Sequence, residues 1–371
     1  MSNARTLADN LPTEGQLAGR NVIVNGAMTL SQRQTSSSNV GNQYVLDRFQ
    51  VYKQNTGSTY TCSQNSVTDL AGFANSLKMD CTTADTSTAA NEQVYISYFA
   101  EGQDLQRFQK GHATALGFTL SFYVKTNKAG VYTVKMFDRD NSRDVSGSYT
   151  VSDANWNRYT INFPADTTGK FDDDNASSLE IFFNLVNGSD TQGGTLNTAW
   201  RSAADASGAT GQVNFADSTS NDWEITGIQM EVGPQSTPFE NEPFAATLRK
   251  CQRYYSKIEG PLDAHPCWTY GTVASTQVTL PAQMRVIPSV TFTGTTASNT
   301  NNSITADNFS MYSASAWKGT NNSGVQYGGT GSSSVQSIRI NTYVYSAFIR
   351  DGVSAGLYMG ANCSINADAE L

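Results

Sequence analysis

Residues 117–125 read Gly-Phe-Thr-Leu-Ser-Phe-Tyr-Val-Lys, an alternation of apolar and polar side chains. Successive side chains of a β-strand point to opposite faces, so a period of two places the apolar residues on one face. These residues are Phe118, Leu120, Phe122 and Val124. The same period returns at 132–136, 159–163 and 179–185. Short amphipathic strands separated by polar turns predict an all-β protein with antiparallel β-sandwich architecture.

A further strand is predicted at 223–232, where the alternation slips by one residue. Trp223 and Ile225 fit one register, whereas Met230 and Val232 fit the other, and Gly227 lies between them. A glycine inside a strand is typical of a β-bulge, which inserts one extra residue and re-aims the side chains that follow. We therefore predict one strand with a bulge at Gly227.

One segment has a helical period instead. After Pro243, apolar residues recur at spacings of three and four, and Gly260 and Pro261 end the pattern. Proline suits the first turn of a helix and glycine follows its end, so we predict a helix over 244–259. The apolar stripe of this helix consists of Leu248, Cys251, Tyr255 and Ile258.

The predicted helix links two β-rich domains. We assign 1–20 to a polar N-terminal segment, 21–243 to a β-sandwich and 260–371 to a C-terminal β-rich domain that forms a second sandwich. In this last domain strands are predicted at 268–280, 286–293, 303–312, 335–340 and 343–350.

The composition excludes several classes of function. Charged residues make up 15% of the 371 residues and the formal net charge is −8, which argues against nucleic-acid binding because that needs a basic face. No run of apolar residues is long enough for a membrane span, and no secretory signal opens the sequence, so we expect synthesis in a cytoplasm and no membrane insertion. The five cysteines are scattered and are predicted to be buried free thiols.

Catalysis is not predicted. The sequence contains two histidines, and Ser354 lies in a Gly-x-Ser-x-Gly match that lacks a following helix and a later histidine. The acidic run at 172–174 resembles a calcium site, but a solvated turn is the simpler interpretation. We expect no enzyme activity, no cofactor and no bound metal.

The aromatic residues are the candidate ligand contacts, because flat rings stack on the apolar faces of sugars. Trp156 and Trp223 adjoin predicted strands and are assigned to the core. Other rings lie in polar, loop-like surroundings that suit an exposed binding surface. These glycan-binding candidates are Trp200, Tyr312, Trp317 and Tyr327.

Several phrases together resemble virion proteins of tailed bacteriophages of the marine podovirus type. Residues 21–33, Asn-Val-Ile-Val-Asn-Gly-Ala-Met-Thr-Leu-Ser-Gln-Arg, and 44–49, Tyr-Val-Leu-Asp-Arg-Phe, look like the opening of their jelly-roll domain. Residues 228–240 and 248–255 are similar to the junction where that domain ends, and 281–290 and 361–371 are similar to their β-rich end domain. Related modules often hold a calcium ion through a glutamate after Asn-Gly, a position that Ala27-Met28-Thr29 occupies here.

The resemblance implies a tail fibre or similar appendage with a jelly-roll, carbohydrate-binding-module-like domain. It implies a virion protein that contacts other virion proteins through residues 1–20 and attaches to host-surface polysaccharide. A purely structural head-decoration, neck or adaptor protein is the alternative, and a glycan-degrading enzyme is a third, less favoured hypothesis. Imaging the virion at low resolution would separate the first two.

The resemblance also implies a homotrimer. The stripe Leu248, Cys251, Tyr255 and Ile258 has coiled-coil spacing, so three copies of the helix would meet along it as the oligomer interface.

Overall fold

The computed structural model describes residues 19–260, 262–270, 273–293, 309–313, 316–319, 323–328, 336–343, 355–359 and 364–371. The predicted N-terminal segment therefore lies outside the described residues except for Gly19 and Arg20. The chain forms two compact units, Met1–Thr247 with Leu371, and Leu248–Glu370. Among the helices in the described ranges, none has the length and apolar character needed to cross a bilayer.

The described residues of the first unit form thirteen strands. They are β1 (Ser36–Ser38), β2 (Gln43–Tyr44), β3 (Phe49–Gln54), β4 (Thr59–Ser66), β5 (Asn75–Thr83), β6 (Gln93–Glu101), β7 (Phe118–Thr126), β8 (Gly130–Asp138), β9 (Arg143–Val151), β10 (Asn157–Phe163), β11 (Ser177–Asn187), β12 (Arg201–Ser202) and β13 (Asp222–Val232). Short helical turns lie at Gly102–Asp104, Gln106–Phe108, Ser189–Gln192 and Phe215–Asp217.

These strands form two antiparallel sheets. One sheet has the order β1-β4-β5-β13-β7-β10, and the other has the order β12-β9-β8-β11-β6-β3-β2. The chain passes repeatedly from one sheet to the other, for example between β5 and β6, between β6 and β7, and between β9 and β10. Such alternation between two sheets is characteristic of jelly-roll sandwiches. The predicted fold class is therefore confirmed.

The core lies between the two sheets and includes residues that the period of two placed there. Phe118, Leu120, Phe122 and Val124 are all buried in one cluster. Trp223, the largest fully buried side chain among the described residues, donates a hydrogen bond from Nε1 to the Tyr149 hydroxyl at 3.3 Å. Burial of each such large apolar side chain contributes about 1.5–3 kcal/mol to the free energy of unfolding.

The bulge predicted in the last strand of the sandwich is present. The pairing of β13 with β7 shifts register between Thr226 and Gln229. Gly227 has a φ of +64°, the left-handed region that glycine adopts without steric cost. The shift allows Ile225 before it and Met230 after it to be fully buried.

The tryptophan and cysteine predictions have mixed outcomes. Trp223 is in the core, but the core assignment of Trp156 is wrong, because this residue is half-buried and donates from Nε1 to Asp69 Oδ1 at 2.9 Å. Cys62, Cys81 and Cys251 are buried and form no disulfide, as predicted. The side chains of Cys267 and Cys363 lie outside the described residues.

The helix is shorter than predicted. It spans Phe244–Gln252, and the chain then forms strand β14 (Tyr255–Glu259). The amides of Arg253 and Tyr254 donate to the carbonyl oxygens of Lys250 and Cys251, so the helix closes with tight turns. Tyr255 and Ile258 thus belong to a strand rather than to the helical stripe, because the backbone of 255–259 pairs with a neighbouring strand instead.

The second unit is also antiparallel. Its further strands are β15 (Leu262–Tyr270), β16 (Val273–Thr279), β17 (Ser289–Thr293), β18 (Phe309–Ser313), β19 (Ala316–Gly319), β20 (Ser323–Gly328), β21 (Ser337–Tyr343), β22 (Ala355–Met359) and β23 (Ser364–Asp368). One sheet has the order β14-β23-β17 and the other has the order β19-β18-β22-β15-β16-β21-β20. The strand predicted at 268–280 is two strands, and that predicted at 343–350 lies outside the described residues beyond Tyr343.

Replacing Gly227 by Ala should destabilise the sandwich. A Cβ atom there would lie 2.8 Å from the Phe73 ring and 2.9 Å from the Tyr123 ring, on a backbone with positive φ. We expect the free energy of unfolding, measured by urea denaturation, to fall by about 1–3 kcal/mol.

Gly193 is the matched control for this substitution. Its φ is −67°, and a Cβ atom added to it would meet open space. Gly193→Ala should therefore change the free energy of unfolding by less than about 0.5 kcal/mol. Equal losses of stability in the two variants would contradict a bulge that requires glycine.

Candidate functional site

In the first unit, the outer face of the sheet β12-β9-β8-β11-β6-β3-β2 carries a group of aromatic side chains. On its central strands the core residues occupy one parity, for example Val94 and Ile96 of β6, and the other parity faces away from the core. Rings occupy this outward parity on four adjacent strands, β3, β6, β11 and β8. We call these four residues the aromatic face: Tyr52, Tyr95, Phe182 and Phe137.

Register brings the rings of Tyr52, Tyr95 and Phe182 into contact. Tyr52 is paired with Tyr95 across β3 and β6, and their rings stack with centroids 4.6 Å apart and planes 16° apart. The Phe182 ring meets Tyr95 edge-on, also at 4.6 Å. Tyr95 is buried by its two neighbours, whereas Tyr52 and Phe182 are half-exposed. The result is a rigid apolar platform with two rings open to solvent.

A cavity of about 330 Å³ adjoins these rings. Tyr95, Phe137 and Phe182 line it together with polar side chains: Gln93, Lys135, Asn184, Asn187, Thr191 and Asp205. Asn184 donates from Nδ2 to Thr133 Oγ1 at 3.0 Å, and Thr133 in turn donates to Gln212 Oε1 at 2.9 Å. These buried hydrogen bonds hold the Asn184 amide in place beside the platform.

One wall of the cavity is the loop that contains Ala203–Asp205, Gly208 and Ala209. Hydrogen bonds from Arg201 fix the conformation of this loop. Its guanidinium donates to the Ala206 carbonyl at 2.7 Å and to Ser207 Oγ at 3.0 Å. It also donates to Asp144 Oδ1 at 2.9 Å. Asp144 is fully buried, so its ion pair with Arg201 anchors the loop to strand β9.

The charged side chains near the aromatic face are of both signs. Lys135 Nζ lies 3.1 Å from Asp144 Oδ2, and Arg139 Nη1 lies 2.8 Å from Glu180 Oε2. Burial raises the pKa of Glu180, and the attraction of Arg139 offsets only part of that effect. The face therefore offers rings, amides and hydroxyls rather than a field of one sign.

The predicted ligand residues lie elsewhere. Trp200 does not line the cavity; its Nε1 donates to the Pro164 carbonyl at 2.9 Å and its ring lies over the Lys110 ammonium, 5.0 Å from the centroid. Tyr312 and Trp317 are register partners in the β18–β19 hairpin and Tyr327 belongs to β20, but the side chains of these three lie outside the described residues. Their predicted role as ligand contacts stays a prediction, as does that of Trp200.

Other motifs have plain outcomes. The acidic run at 172–174 is an exposed turn. Ser354 lies outside the described residues. Within the part of the chain that the structure describes, no group of three or more His, Cys, Asp or Glu side chains is placed to hold a metal ion.

The aromatic face was not predicted from the sequence. Phe182 stands between Ile181 and Phe183, and Tyr95 stands between Val94 and Ile96, so neither ring interrupts a run of buried residues. A usable signal was the presence of rings at outward parity on three or more strands, but their adjacency depends on strand order, which periodicity does not reveal.

Comparisons with known proteins find similarity to solved structures. No protein-family model matches the sequence, and no curated protein matches it. The solved structures that this chain resembles include a CBM4 module, at 12% identity and a TM-score of 0.29, with a match that covers 56% of this chain and 98% of that chain. Others are the CBM22-1 xylan-binding domain of Paenibacillus barcinonensis Xyn10C (10% identity, 56% and 99%, TM-score 0.27) and TmCBM61 in complex with β-1,4-galactotriose (10% identity, 58% and 99%, TM-score 0.28). At these values the residues of this chain must carry any statement about its ligand.

Glu180 should make stability depend on pH. Its folded-state pKa lies above the ordinary value of 4.5, so the folded protein holds the Glu180 proton more tightly than the unfolded chain does. The stability that this preference contributes is present below about pH 4.5 and is lost as pH rises through the folded pKa. We expect the stability of the wild type relative to Glu180→Gln, measured by urea denaturation, to decrease from about pH 4 towards pH 7. A difference that stays constant over this range would contradict the raised pKa.

Proposed function

We propose that the first unit binds a neutral polysaccharide on the aromatic face, and that the protein is a subunit of a bacteriophage appendage that attaches to host-surface glycans. The observation that carries the binding proposal is the platform of Tyr52, Tyr95 and Phe182, with half-exposed rings beside a cavity lined by amides.

The platform suits sugars for a physical reason. A pyranose ring has apolar C–H faces that pack on aromatic rings, while its hydroxyls need hydrogen-bond partners. Tyr52 and Phe182 offer ring surface at almost no cost in ordering, because Tyr95 already holds both in place. A preorganised surface of this kind loses less entropy on binding than mobile side chains do.

The cavity supplies the polar part of the site. Gln93, Asn184 and Asn187 each bring an amide, which both donates and accepts hydrogen bonds as sugar hydroxyls require. Its volume of about 330 Å³ is at the lower end of the range of roughly 300–1,000 Å³ for small-ligand sites. The site therefore fits a short stretch of a glycan chain rather than a large folded partner.

Charge pairing favours a neutral glycan. An excess of cations would select phosphorylated or acidic sugars. Lys135 and Arg201 share Asp144, and Asp205 lines the same cavity, so these two cations are matched in number by two carboxyl groups. Arg139 is paired with Glu180. A non-enzymatic role is part of the proposal, since hydrolysis of a glycosidic bond uses a pair of carboxyl groups as acid and base or nucleophile, and Asp205 is the one carboxyl group among the residues that line this cavity.

The virion assignment rests on the sequence resemblance alone. Under it, the protein is made in the host cytoplasm and assembles into the virion through residues 1–20. A head-decoration, neck or adaptor protein without a host ligand is the competing hypothesis, and binding of host polysaccharide by the purified protein distinguishes the two.

Truncating the exposed rings should weaken glycan binding. For Tyr52→Ala and Phe182→Ala we expect the dissociation constant for purified host-surface polysaccharide to rise by about tenfold each, the equivalent of about 1.4 kcal/mol. Affinity electrophoresis measures this, and thermal melting verifies that the variants fold. Tyr123→Ala is the matched control, because Tyr123 is a half-buried tyrosine on the outer parity of the other sheet, at β7. Wild-type affinity in both ring variants, or no binding by the wild type, would contradict the proposal.

We further propose a homotrimer, on the resemblance. The helical seam that the sequence suggested is not its basis, because Tyr255 and Ile258 lie on strand β14 and Cys251 is buried within its own chain. Light scattering should give about three times the chain mass of 40.0 kDa. A mass equal to one chain would contradict it.

A further inference from the structure

Lys110 is a buried lysine whose ammonium is surrounded by oxygen atoms. Its side chain is 4% exposed. Nζ lies 2.5 Å from Asp138 Oδ2, 3.0 Å from Asp166 Oδ2, 3.1 Å from the Thr168 carbonyl and 2.8 Å from the Gly169 carbonyl. We call these four oxygen atoms the oxygen cage. Lysine is rarely buried unless it is paired, so the burial of Lys110 depends on these oxygen atoms.

Two aromatic rings also lie close to the Lys110 ammonium. The Phe171 and Trp200 ring centroids lie 5.1 Å and 5.0 Å from Nζ, within the range of cation–π attraction. Four oxygen acceptors and two ring faces all favour a positive charge, and the ammonium has three N–H donors to share among the acceptors. The environment is thus that of a bound cation which is tethered to the chain.

The oxygen cage has supports of its own. Asp166 receives two hydrogen bonds from Arg143, at 2.7 Å and 3.0 Å, and one from the Thr168 amide at 3.0 Å. Burial pushes the pKa of Asp166 up, but the hydrogen bonds from Arg143 and Lys110 outweigh it and hold that pKa below its usual value. Asp138 accepts from the Asn141 amide at 3.0 Å. Both carboxylates are therefore held in position by groups other than Lys110.

The backbone delivers Lys110 to the cage. Gln109 has a φ of +51° and Gly111 a φ of +81°. A Cβ atom on Gly111 would lie 2.6 Å from the Lys170 amide nitrogen, so only glycine lets the two backbones approach this closely. The cage thereby ties the loop around Lys110 to the loop at 166–171 and, through the Trp200 ring, to the segment that precedes β12.

We propose that the Lys110 ammonium is a built-in structural cation, and that the oxygen cage is a latent divalent-cation site that binds Ca²⁺ when this ammonium is removed. Two carboxylates face Lys110 and Arg143, so the charges balance; without Lys110 one negative charge is left unbalanced in a buried position. Carboxylate and carbonyl oxygens are the ligands that Ca²⁺ takes, at about 2.3–2.6 Å, with water filling the positions that the protein leaves open. The oxygens around Nζ need to move by only a few tenths of an ångström to reach this range.

The test uses two substitutions in the full chain. Lys110→Ala empties the cage, whereas Lys110→Met removes the charge but leaves an unbranched side chain of similar length in place. In EDTA we expect both variants to melt at least roughly 6 °C below the wild type, because each leaves buried carboxylates without their partner. With millimolar CaCl₂, Lys110→Ala should regain most of this loss and Lys110→Met should not. The wild type should melt at the same temperature in EDTA and in CaCl₂.

Two further measurements sharpen the outcome. Isothermal titration of CaCl₂ into Lys110→Ala should give one site per chain that is absent from the wild type and from Lys110→Met. A Lys110→Ala chain that is equally unstable, or equally unfolded, in EDTA and in CaCl₂ would overturn the proposal. An intact mass of the wild type lower than the sequence mass by one water would also overturn it, because Nζ would then be joined to a carboxyl carbon as an amide and no ammonium would be present.

Discussion

Every strand of the sandwich must bury one of its two faces, and the rest of the molecule follows from that constraint. The apolar side of β7, with Phe118, Leu120 and Phe122, has no alternative to facing the second sheet. Register is therefore specified along the whole strand, since a slip of one residue would turn every buried side chain to solvent. In β13 the register shifts by one residue at the bulge, and apolar side chains face the core both before and after it. Gly227 makes this shift possible because it adopts the positive φ that the bulge requires.

The constraint on the inner face leaves the outer face free to vary. Outward residues of the central strands contribute little to the core, so rings there are held by one another instead. Tyr52, Tyr95 and Phe182 come from three strands that are far apart in sequence and adjacent in the sheet. Their stacking needs a rigid scaffold beneath, and the packed core provides one, because side chains set on paired strands shift far less than side chains on loops.

Much of the fold was predictable for this reason, and the site was not. Period two predicted strands β7, β8, β10, β11 and β13 of the first unit, the core role of Trp223 and the bulge at Gly227, since burial of one face leaves its mark in the order of residues. The end of the helix at Gln252 was not predictable from period, because Tyr255 and Ile258 suit a helical stripe and a strand equally well, and pairing with β23 decides between them. The aromatic face depends on which strands become neighbours, a property of long-range pairing that local sequence does not record.

Trp200 shows how the same limit affects loops. Its polar neighbours predicted an exposed ring, yet the ring covers an ammonium from a distant loop and donates to the Pro164 carbonyl. A chain with only 15% charged residues has few ion pairs to place, and this one places several of them where loops leave the sandwich: Lys110 with Asp138 and Asp166, and Arg201 with Asp144. Loops lack the repeated backbone pairing that holds strands, so a buried charge with a full set of partners is an effective way to give a loop one conformation. The wall of the cavity is fixed by this means, and the proposed binding surface thus combines an open platform on the sheet with a wall held by buried charge.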